Sequence, residues 1–240
     1  MTSGRSNFEI RHYFVIGHSS FVILLMPDLD FKVLGVDAAA RGLAPLLHFK
    51  IEIVNQTPGE KVQSVMLHAQ IQIQSAQRVY AAGEKEKLRE LFGKPEDWGQ
   101  TLRNKLLAQA NCIVPGFAGP TEAVLVVPCT FDLNVAATKY FYALEDGEVP
   151  LLFLFSGTVF YSDAGGRLQI QQIPWEKEAA WRMPIGAWRE MMDRHYPNTA
   201  FMWLERGVFD RLYEFKRHHG FVTWEQAMER LLACQNGEQQ

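Results

Sequence analysis

The chain has few cysteines and no concentrated positive charge. Its three cysteines, Cys112, Cys129 and Cys234, are far apart and form no CxxC pair, so neither a zinc knuckle nor a disulfide framework is predicted. The formal net charge is −3, and the densest basic run is the short FKRHHG at 215–220, which argues against a general nucleic-acid binder. Scattered cysteines are typical of a reducing compartment, so we expect a cytoplasmic protein.

No apolar run is long enough to span a bilayer. The run LLFLF at 151–155 is far too short, and YFVIGHSSFVILL at 13–25 is interrupted by Gly17, His18 and two serines. Acidic residues follow this second run where a secretory signal would have a small-residue cleavage site. We therefore predict no membrane span, and we predict that residues 1–25 are an extension outside the fold, with Met26 as an alternative translation start.

The common catalytic signatures are also missing, since the sequence contains no HExxH, GxSxG or GxGxxG motif. His48 and His68 fall on the polar faces of two predicted strands, where they could lie side by side, but no third metal ligand accompanies them, and the alternative is that both are solvated surface histidines. Asp193 and His195 have a spacing at which a carboxylate can orient a general base. One interpretation is thus a hydrolase or small-ligand enzyme whose site is assembled from these four distant residues. We predict no metal and no cofactor.

Clear alternation of apolar and polar residues marks two long segments. PLLHFKIEIVN (45–55) and VQSVMLHAQIQIQ (62–74) repeat with a period of two, which is typical of half-buried strands. The Pro-Gly at 58–59 indicates a turn, so we expect these strands to pair antiparallel. VPLLFLFSGTVFY (149–161) is apolar at both alternating positions and is followed by a turn sequence and RLQIQQI, which predicts a hairpin with a strand buried on both faces.

Helical patterns interrupt and follow the strands. GEKEKLRELFG (83–93) predicts a helical insertion after the second long strand, and three helices are predicted within 183–197, 204–220 and 223–235, the last with a capping-box spacing at Thr223 and Gln226. The predicted class is α+β: a mainly antiparallel β-sandwich or bent sheet with a helical insertion and a C-terminal helical cap. We predict a single domain over 26–235, because the apolar stripes of the terminal helices need the sheet for cover.

The segment IPWEKEAAWRMP (173–184) is the strongest candidate for binding. Trp175, Trp181 and Arg182 lie near a predicted strand end, where aromatic and Arg side chains can anchor a partner. The alternative is that both tryptophans cap the core where sheet meets helices, as large aromatic residues usually do.

Three segments resemble a bacterial protein family described only as a domain of unknown function: VPCTFD (127–132), KYFYALEDGEVPLLFLFSGTVFY (139–161) and WREMMDRHYP (188–197). The resemblance runs from about Pro27 to Leu232. The family is associated with gene clusters of uptake nickel–iron hydrogenases, so the resemblance implies an accessory or assembly role and a hydrogenase-related protein partner. It implies no catalytic residue. We therefore predict a non-catalytic binding or assembly protein, with the enzyme as the alternative.

Overall fold

The structure is a computed structural model that describes residues 26–38, 44–57, 61–129, 135–163 and 165–237. The predicted extension, residues 1–25, lies outside the described residues. The chain divides into two compact units, one ending at Met191 and the other beginning at Met192, and each is described by itself. The single domain expected over 26–235 stays a prediction.

The first unit contains two antiparallel sheets. Their strands are β1 (Leu29–Ala38), β2 (Leu46–Asn55), β3 (Val62–Ile73), β4 (Lys105–Phe117), β5 (Thr121–Pro128), β6 (Glu148–Ser162), β7 (Leu168–Gln172) and β8 (Glu178–Pro184). A three-stranded sheet has the order β1-β2-β5, and a five-stranded sheet has the order β4-β3-β6, with both β7 and β8 paired to β6. The predicted α+β class is confirmed.

The two alternating strands β2 and β3 lie in different sheets, so the prediction that they pair is wrong. β2 pairs with β1 and β5, whereas β3 pairs with β4 and β6. The reason is that alternation fixes which face of a strand is buried and leaves open which strand lies beside it. The connection between Asn55 and Val62 passes from one sheet to the other, and the two apolar faces oppose each other as in a sandwich.

Residues at every second position form the core between the sheets. The inward side chains of β2 and β3 are at most 2% exposed: Leu47, Phe49, Ile51, Ile53, Val65, Leu67, Ala69, Ile71 and Ile73. Aromatic rings bridge the two sheets. Phe31 stacks on Phe155 with centroids 4.3 Å apart, and Phe49 meets Phe153 edge-on at 5.2 Å, contacts that add to the stability gained from burial alone.

The β6–β7 hairpin is confirmed, but β6 is not buried on both faces. Its inward residues are buried, while the outward Leu152 and Leu154 are half-buried and Ser156 is exposed. The apolar outward positions of this strand therefore belong to a partly covered sheet surface.

Short helices fill the connection between β3 and β4 and confirm the predicted insertion: α1 (Ala82–Lys87), α2 (Arg89–Phe92) and α3 (Trp98–Thr101). A further helix, α4 (Val135–Ala143), connects β5 to β6, and α5 (Ile185–His195) follows β8 directly. Phe92, Trp98 and Tyr140 of these helices and Tyr80, which precedes α1, pack together edge to face. This cluster is a second apolar core beside the sandwich.

The second unit contains the helices α6 (Arg206–His218) and α7 (Trp224–Gly237), so the C-terminal helices are confirmed. Phe209 of α6 contacts Trp224 of α7 with ring centroids 5.4 Å apart. The predicted capping box is present at the start of α7: Thr223 Oγ1 accepts the backbone N–H of Gln226, and Gln226 Oε1 accepts that of Thr223. None of the described helices is long and apolar enough to cross a membrane.

A buried ion pair ties the insertion to the turn before β6. Arg78 donates to the Glu84 carboxylate at 2.7 Å, and the two side chains are 8% and 4% exposed. Glu84 also accepts the backbone N–H groups of Ala81 and Glu145. Burial alone would raise the pKa of Glu84, but these two N–H groups and then Arg78 outweigh it and hold the pKa below the usual 4.5.

Gly157 allows the closest approach of two core strands, and its replacement is the first prediction. Its φ is +137°, and an added Cβ would lie 2.0 Å from the Met66 carbonyl oxygen on β3. We expect Gly157→Ala to lower the free energy of unfolding by roughly 2–4 kcal/mol, because the strands must separate or the backbone must strain. Urea denaturation measures this loss. In the control Gly99→Ala, whose Cβ meets nothing within 4 Å, we expect a change below about 1 kcal/mol.

The second prediction concerns the ion pair. Glu84→Gln leaves the Arg78 guanidinium buried without its carboxylate, so we expect the free energy of unfolding at neutral pH to fall by roughly 3–5 kcal/mol. Because the folded-state pKa of Glu84 is depressed, its contribution is complete above its ordinary pKa of 4.5 and is lost as the pH falls through the folded value. The difference between variant and wild type should therefore shrink on acidification below about pH 4.5.

Denaturant unfolding of both proteins at neutral and acidic pH tests this second prediction. The matched control is Glu86→Gln, which removes a carboxylate that is 72% exposed and paired with Arg89 on the helix surface. We expect the control to change stability by less than about 1 kcal/mol. Equal losses in the two variants would contradict a special role for the buried pair.

Candidate functional site

The histidine site predicted from the sequence does not form. His48 lies on the outward face of β2 and His68 on the outward face of β3, and the inward faces of these strands oppose each other. The two imidazoles therefore lie on opposite outer surfaces of the sandwich, and the hypothesis that they lie side by side is wrong. His68 Nδ1 instead contacts Asn111 Oδ1 on β4 at 2.5 Å.

The other two members of that site, Asp193 and His195, lie at the end of α5 in the second unit. A site that requires His48 and His68 together cannot be assembled, whatever the position of the other two residues. Within residues 26–38, 44–57, 61–129, 135–163 and 165–237, no three His, Cys, Asp or Glu side chains converge as metal ligands. The predicted lack of a metal and a cofactor stays a prediction.

The thiols of the first unit are poorly suited to nucleophilic chemistry. Burial raises the pKa of Cys129 to about 12 and also raises the pKa of Cys112. Both side chains are consequently protonated at neutral pH, and the protonated thiol is the unreactive form. Cys234 is exposed on α7.

The predicted binding residues Trp181 and Arg182 share one cavity. Trp181 lies opposite Leu151 across the β6–β8 pair, and its half-buried ring meets Phe49 edge-on at 6.0 Å. Both residues line a cavity of about 490 Å³ together with the polar side chains of Gln74, Gln77 and Glu148. The Trp181 side chain thus packs against the core at Phe49 and also lines the cavity.

Trp175 has different surroundings. It is 89% exposed on the turn between β7 and β8, whereas Trp181 is within β8. Of the three predicted binding residues, Trp181 and Arg182 therefore lie together, and Trp175 is exposed at a separate position. Their role in binding stays a prediction.

The outward face of the five-stranded sheet carries an apolar patch that sequence reasoning missed. It consists of Met66, Ile113, Phe160, Leu168 and Ile170. Four of these side chains are more than half exposed, at 55% for Met66, 75% for Ile113, 62% for Leu168 and 63% for Ile170. Single exposed apolar residues are ordinary on protein surfaces, but a contiguous group marks an interaction site.

The strand register arranges the apolar patch as two cross-strand pairs that meet diagonally, because between β3 and β6 Met66 pairs with Thr158 and Phe160 pairs with Ser64. Met66 on β3 pairs directly with Ile113 on β4, and Phe160 on β6 pairs directly with Ile170 on β7. Leu168 is two residues along the same strand and on the same face as Ile170. Because neighbouring strands are about 4.8 Å apart, the patch extends about 14 Å across four strands.

The described strand residues around the centre of the apolar patch are polar and carry no carboxylate, ammonium or guanidinium group: Ser64, Asn111, Ser156, Thr158 and Gln172. At the hairpin end, Arg167 directly precedes Leu168, has a side chain that is 81% exposed and pairs with Asp163. The surface therefore offers apolar contact and hydrogen bonds, with a charged group only at its hairpin end among the described residues.

The orientation of β7 is the most unusual feature of this surface. Leu168 and Ile170 face outward, and the alternating residues Gln169 and Gln171 are on the opposite, less exposed side. The sequence RLQIQQI shows alternation but not which set is buried, because that depends on the pairing register with β6. The sequence therefore indicated a strand at this position but not which of its two faces would be exposed.

Comparisons with known proteins give a family and no established activity. The model of a family of unknown function, DUF6084, matches residues 26–240. No curated protein matches significantly.

Three solved structures are similar only in part. A protein designated late embryogenesis abundant is 12% identical, with 66% of this chain and 72% of that chain covered and a TM-score of 0.29. The CARDB domain of a Pyrococcus furiosus protein, in complex with di-metal ions, is 13% identical, with 66% and 87% covered and a TM-score of 0.26. A Bordetella pertussis protein designated ApaA is 12% identical, with 65% and 93% covered and a TM-score of 0.23.

The third prediction separates the two tryptophans by their contribution to stability. Trp181→Ala removes a ring that packs against Phe49, and we expect the free energy of unfolding to fall by roughly 2–4 kcal/mol. Trp175→Ala removes an exposed ring, so we expect a change below about 0.5 kcal/mol. Chemical denaturation of both variants is the measurement. A large loss in Trp175→Ala would mean that its ring packs in the folded protein and is not free for a partner.

Proposed function

We propose that this chain, which belongs to the DUF6084 family, is a non-catalytic binding protein whose protein partner docks on the apolar patch. The observation that carries the proposal is the outward orientation of Leu168 and Ile170 on β7. A register shift of one residue would turn these side chains inward. Their exposure forfeits the free energy of burial, which is expected of a recognition surface and not of a strand selected for stability alone.

The chemistry of the apolar patch supports a protein partner over nucleic acid or an anionic membrane surface. Phosphate groups are bound by clustered Lys and Arg side chains. The described residues beside the patch form no such cluster, since the guanidinium of Arg167 next to Leu168 is paired with Asp163. Protein interfaces, by contrast, have apolar centres depleted in charge and polar rims. The surroundings of Met66 and Ile170 have this composition.

The width of the apolar patch fits an amphipathic helix as the docking element of the partner. A helix with its side chains is about 10–12 Å across, and the patch extends about 14 Å over four strands. The apolar stripe of such a helix would lie against Met66, Phe160 and Ile170, and its polar face would stay in water. We propose this helix as the occupant.

A hydrogenase-related partner is a finer part of the same proposal. Its support is the sequence resemblance at 127–132, 139–161 and 188–197, which implies an accessory role in nickel–iron hydrogenase assembly. A cytoplasmic location, expected from the scattered cysteines, belongs with it. The enzyme alternative is not supported at the site suggested for it, because His48 and His68, two of its four residues, lie in different sheets.

The fourth prediction tests the apolar patch with two matched double variants. Met66→Gln with Ile170→Gln makes the patch polar, whereas Val124→Gln with Val126→Gln changes two residues that are each 43% exposed on the outward face of the other sheet. Tagged wild type and both variants are used for capture from native lysate, and the captured protein is then purified. By calorimetry we expect at least about tenfold weaker binding for the patch variant and no change for the control.

Further results separate the parts of this proposal. Binding to the captured protein should change little with salt, because the centre of the apolar patch is uncharged and the neighbouring Arg167 is paired with Asp163. Equal binding by the two double variants would contradict the patch as the docking surface. Self-association of the wild type that is lost in the patch variant would assign the surface to a second copy and contradict a different partner. A purified partner unrelated to hydrogenases would contradict only the hydrogenase part.

A further inference from the structure

A separate cavity of about 260 Å³ lies in the first unit, away from the apolar patch. One wall is formed by residues 106–109 of β4, and another by the end of β5, so the cavity lies where an edge of each sheet comes together. Helix α4 contributes Ala137, Thr138 and Phe141, and Trp188 completes the lining. Because strands of both sheets and a helix line it, this partly open cavity belongs to the folded scaffold and is not a gap between surface loops.

The lining of this cavity is apolar and uncharged. Leucine, alanine, proline, phenylalanine and tryptophan side chains dominate, and none of the described residues that line it is acidic or basic. Polar side chains come from Gln109 and Thr138, and Cys129 adds a thiol. A charged ligand would lose its hydration here without gaining a counter-charge from the described lining residues, which therefore favour an uncharged ligand.

The volume defines the size of a suitable ligand. An apolar cavity of about 150 Å³ in a protein is large enough to bind benzene. A cavity of about 260 Å³ therefore takes a larger molecule, of roughly ten non-hydrogen atoms, which is the size of two fused aromatic rings. Thr138 is half-buried and Gln109 is exposed, so the hydroxyl of Thr138 is the more desolvated hydrogen-bonding group.

We propose that this cavity binds an uncharged, mainly apolar small molecule of bicyclic size that carries one hydroxyl group. The rings lie against Phe141, Trp188 and the alanine side chains, and the hydroxyl pairs with that of Thr138. Binding is non-covalent, since the Cys129 thiol stays protonated at neutral pH. This site is independent of the proposed protein-binding surface, because no residue belongs to both.

The fifth prediction uses 2-naphthol as the probe and the 2-naphthoate anion as its charged counterpart. Isothermal titration calorimetry and ligand-observed NMR on the full chain should show one 2-naphthol per chain, bound at least about tenfold more tightly than 2-naphthoate. Ala137→Leu places a larger side chain into the cavity, and we expect it to weaken 2-naphthol binding at least about tenfold. Val124→Leu, on the outward face of β5, is the control and should bind like the wild type.

Two further variants complete the test: a second one that fills the cavity and one that removes the Thr138 hydroxyl. Ala137 is only 4% exposed, so if Ala137→Leu fails to fold by circular dichroism, Ala108→Leu fills the cavity from the half-buried β4 side. Thr138→Val should weaken 2-naphthol about fivefold and leave naphthalene unaffected, because only the hydroxyl contact is lost. The proposal is overturned if 2-naphthol shows no saturable binding, if a folded filling variant binds it as well as the wild type, or if 2-naphthoate binds equally well.

Discussion

The opposed apolar faces of β2 and β3 are the contact on which the first unit depends. Phe49 on β2 contacts Phe153 on β6, the neighbour of β3, and Phe31 on β1 stacks on Phe155 on β6. Aromatic rings of the two sheets therefore pack against each other. Because alternate residues of each strand are buried in this interior, the remaining residues face outward, and their chemistry can differ between the two sheets. One outward face carries a Lys50–Asp37 ion pair, and the other carries the uncharged apolar patch. The same packing thus produces two surfaces of different chemistry.

The helical insertion depends on a second, polar constraint. Arg78 and Glu84 are buried together, and between them they bind backbone groups of the turn that precedes β6. Arg189 of α5 donates to carbonyl oxygens of the same turn, at Leu144 and Glu145. Since this turn follows α4 directly, its fixed position also fixes the helix that forms one wall of the cavity. For a buried charge pair of this kind, the net contribution to stability is smaller than the cost of breaking it.

Periodicity in the sequence was sufficient to predict the strands β2, β3, β6 and β7, the insertion and the C-terminal helices, because each depends on local pattern. It failed where the answer depends on register or on distant packing. The pairing of β2 with β3 was wrong because alternation does not choose neighbours, and Trp175 and Trp181 look alike in sequence although only Trp181 packs against Phe49. The cavity could not be predicted at all, since its lining comes from four separate segments between residues 106 and 188.

The outward orientation of the apolar residues on β7 is supported from the inner side of the same strand. With Leu168 and Ile170 outward, Gln169 needs a partner on its own side, and Asp163 supplies one by accepting its Nε2–H at 3.0 Å. Asp163 also accepts the backbone N–H groups of Gly165 and Arg167, and the bond from Arg167 leads the interactions that hold its pKa below the usual 3.8. The other inward amide, Gln171, has a buried Oε1 without a hydrogen-bond partner among the described residues, so the polar support of this face comes from Asp163 alone. The hydrogen bond from Gln169 to the carboxylate of Asp163 holds Gln169 on the inner side of β7. The turn before β7 therefore helps to keep Leu168 and Ile170 facing outward.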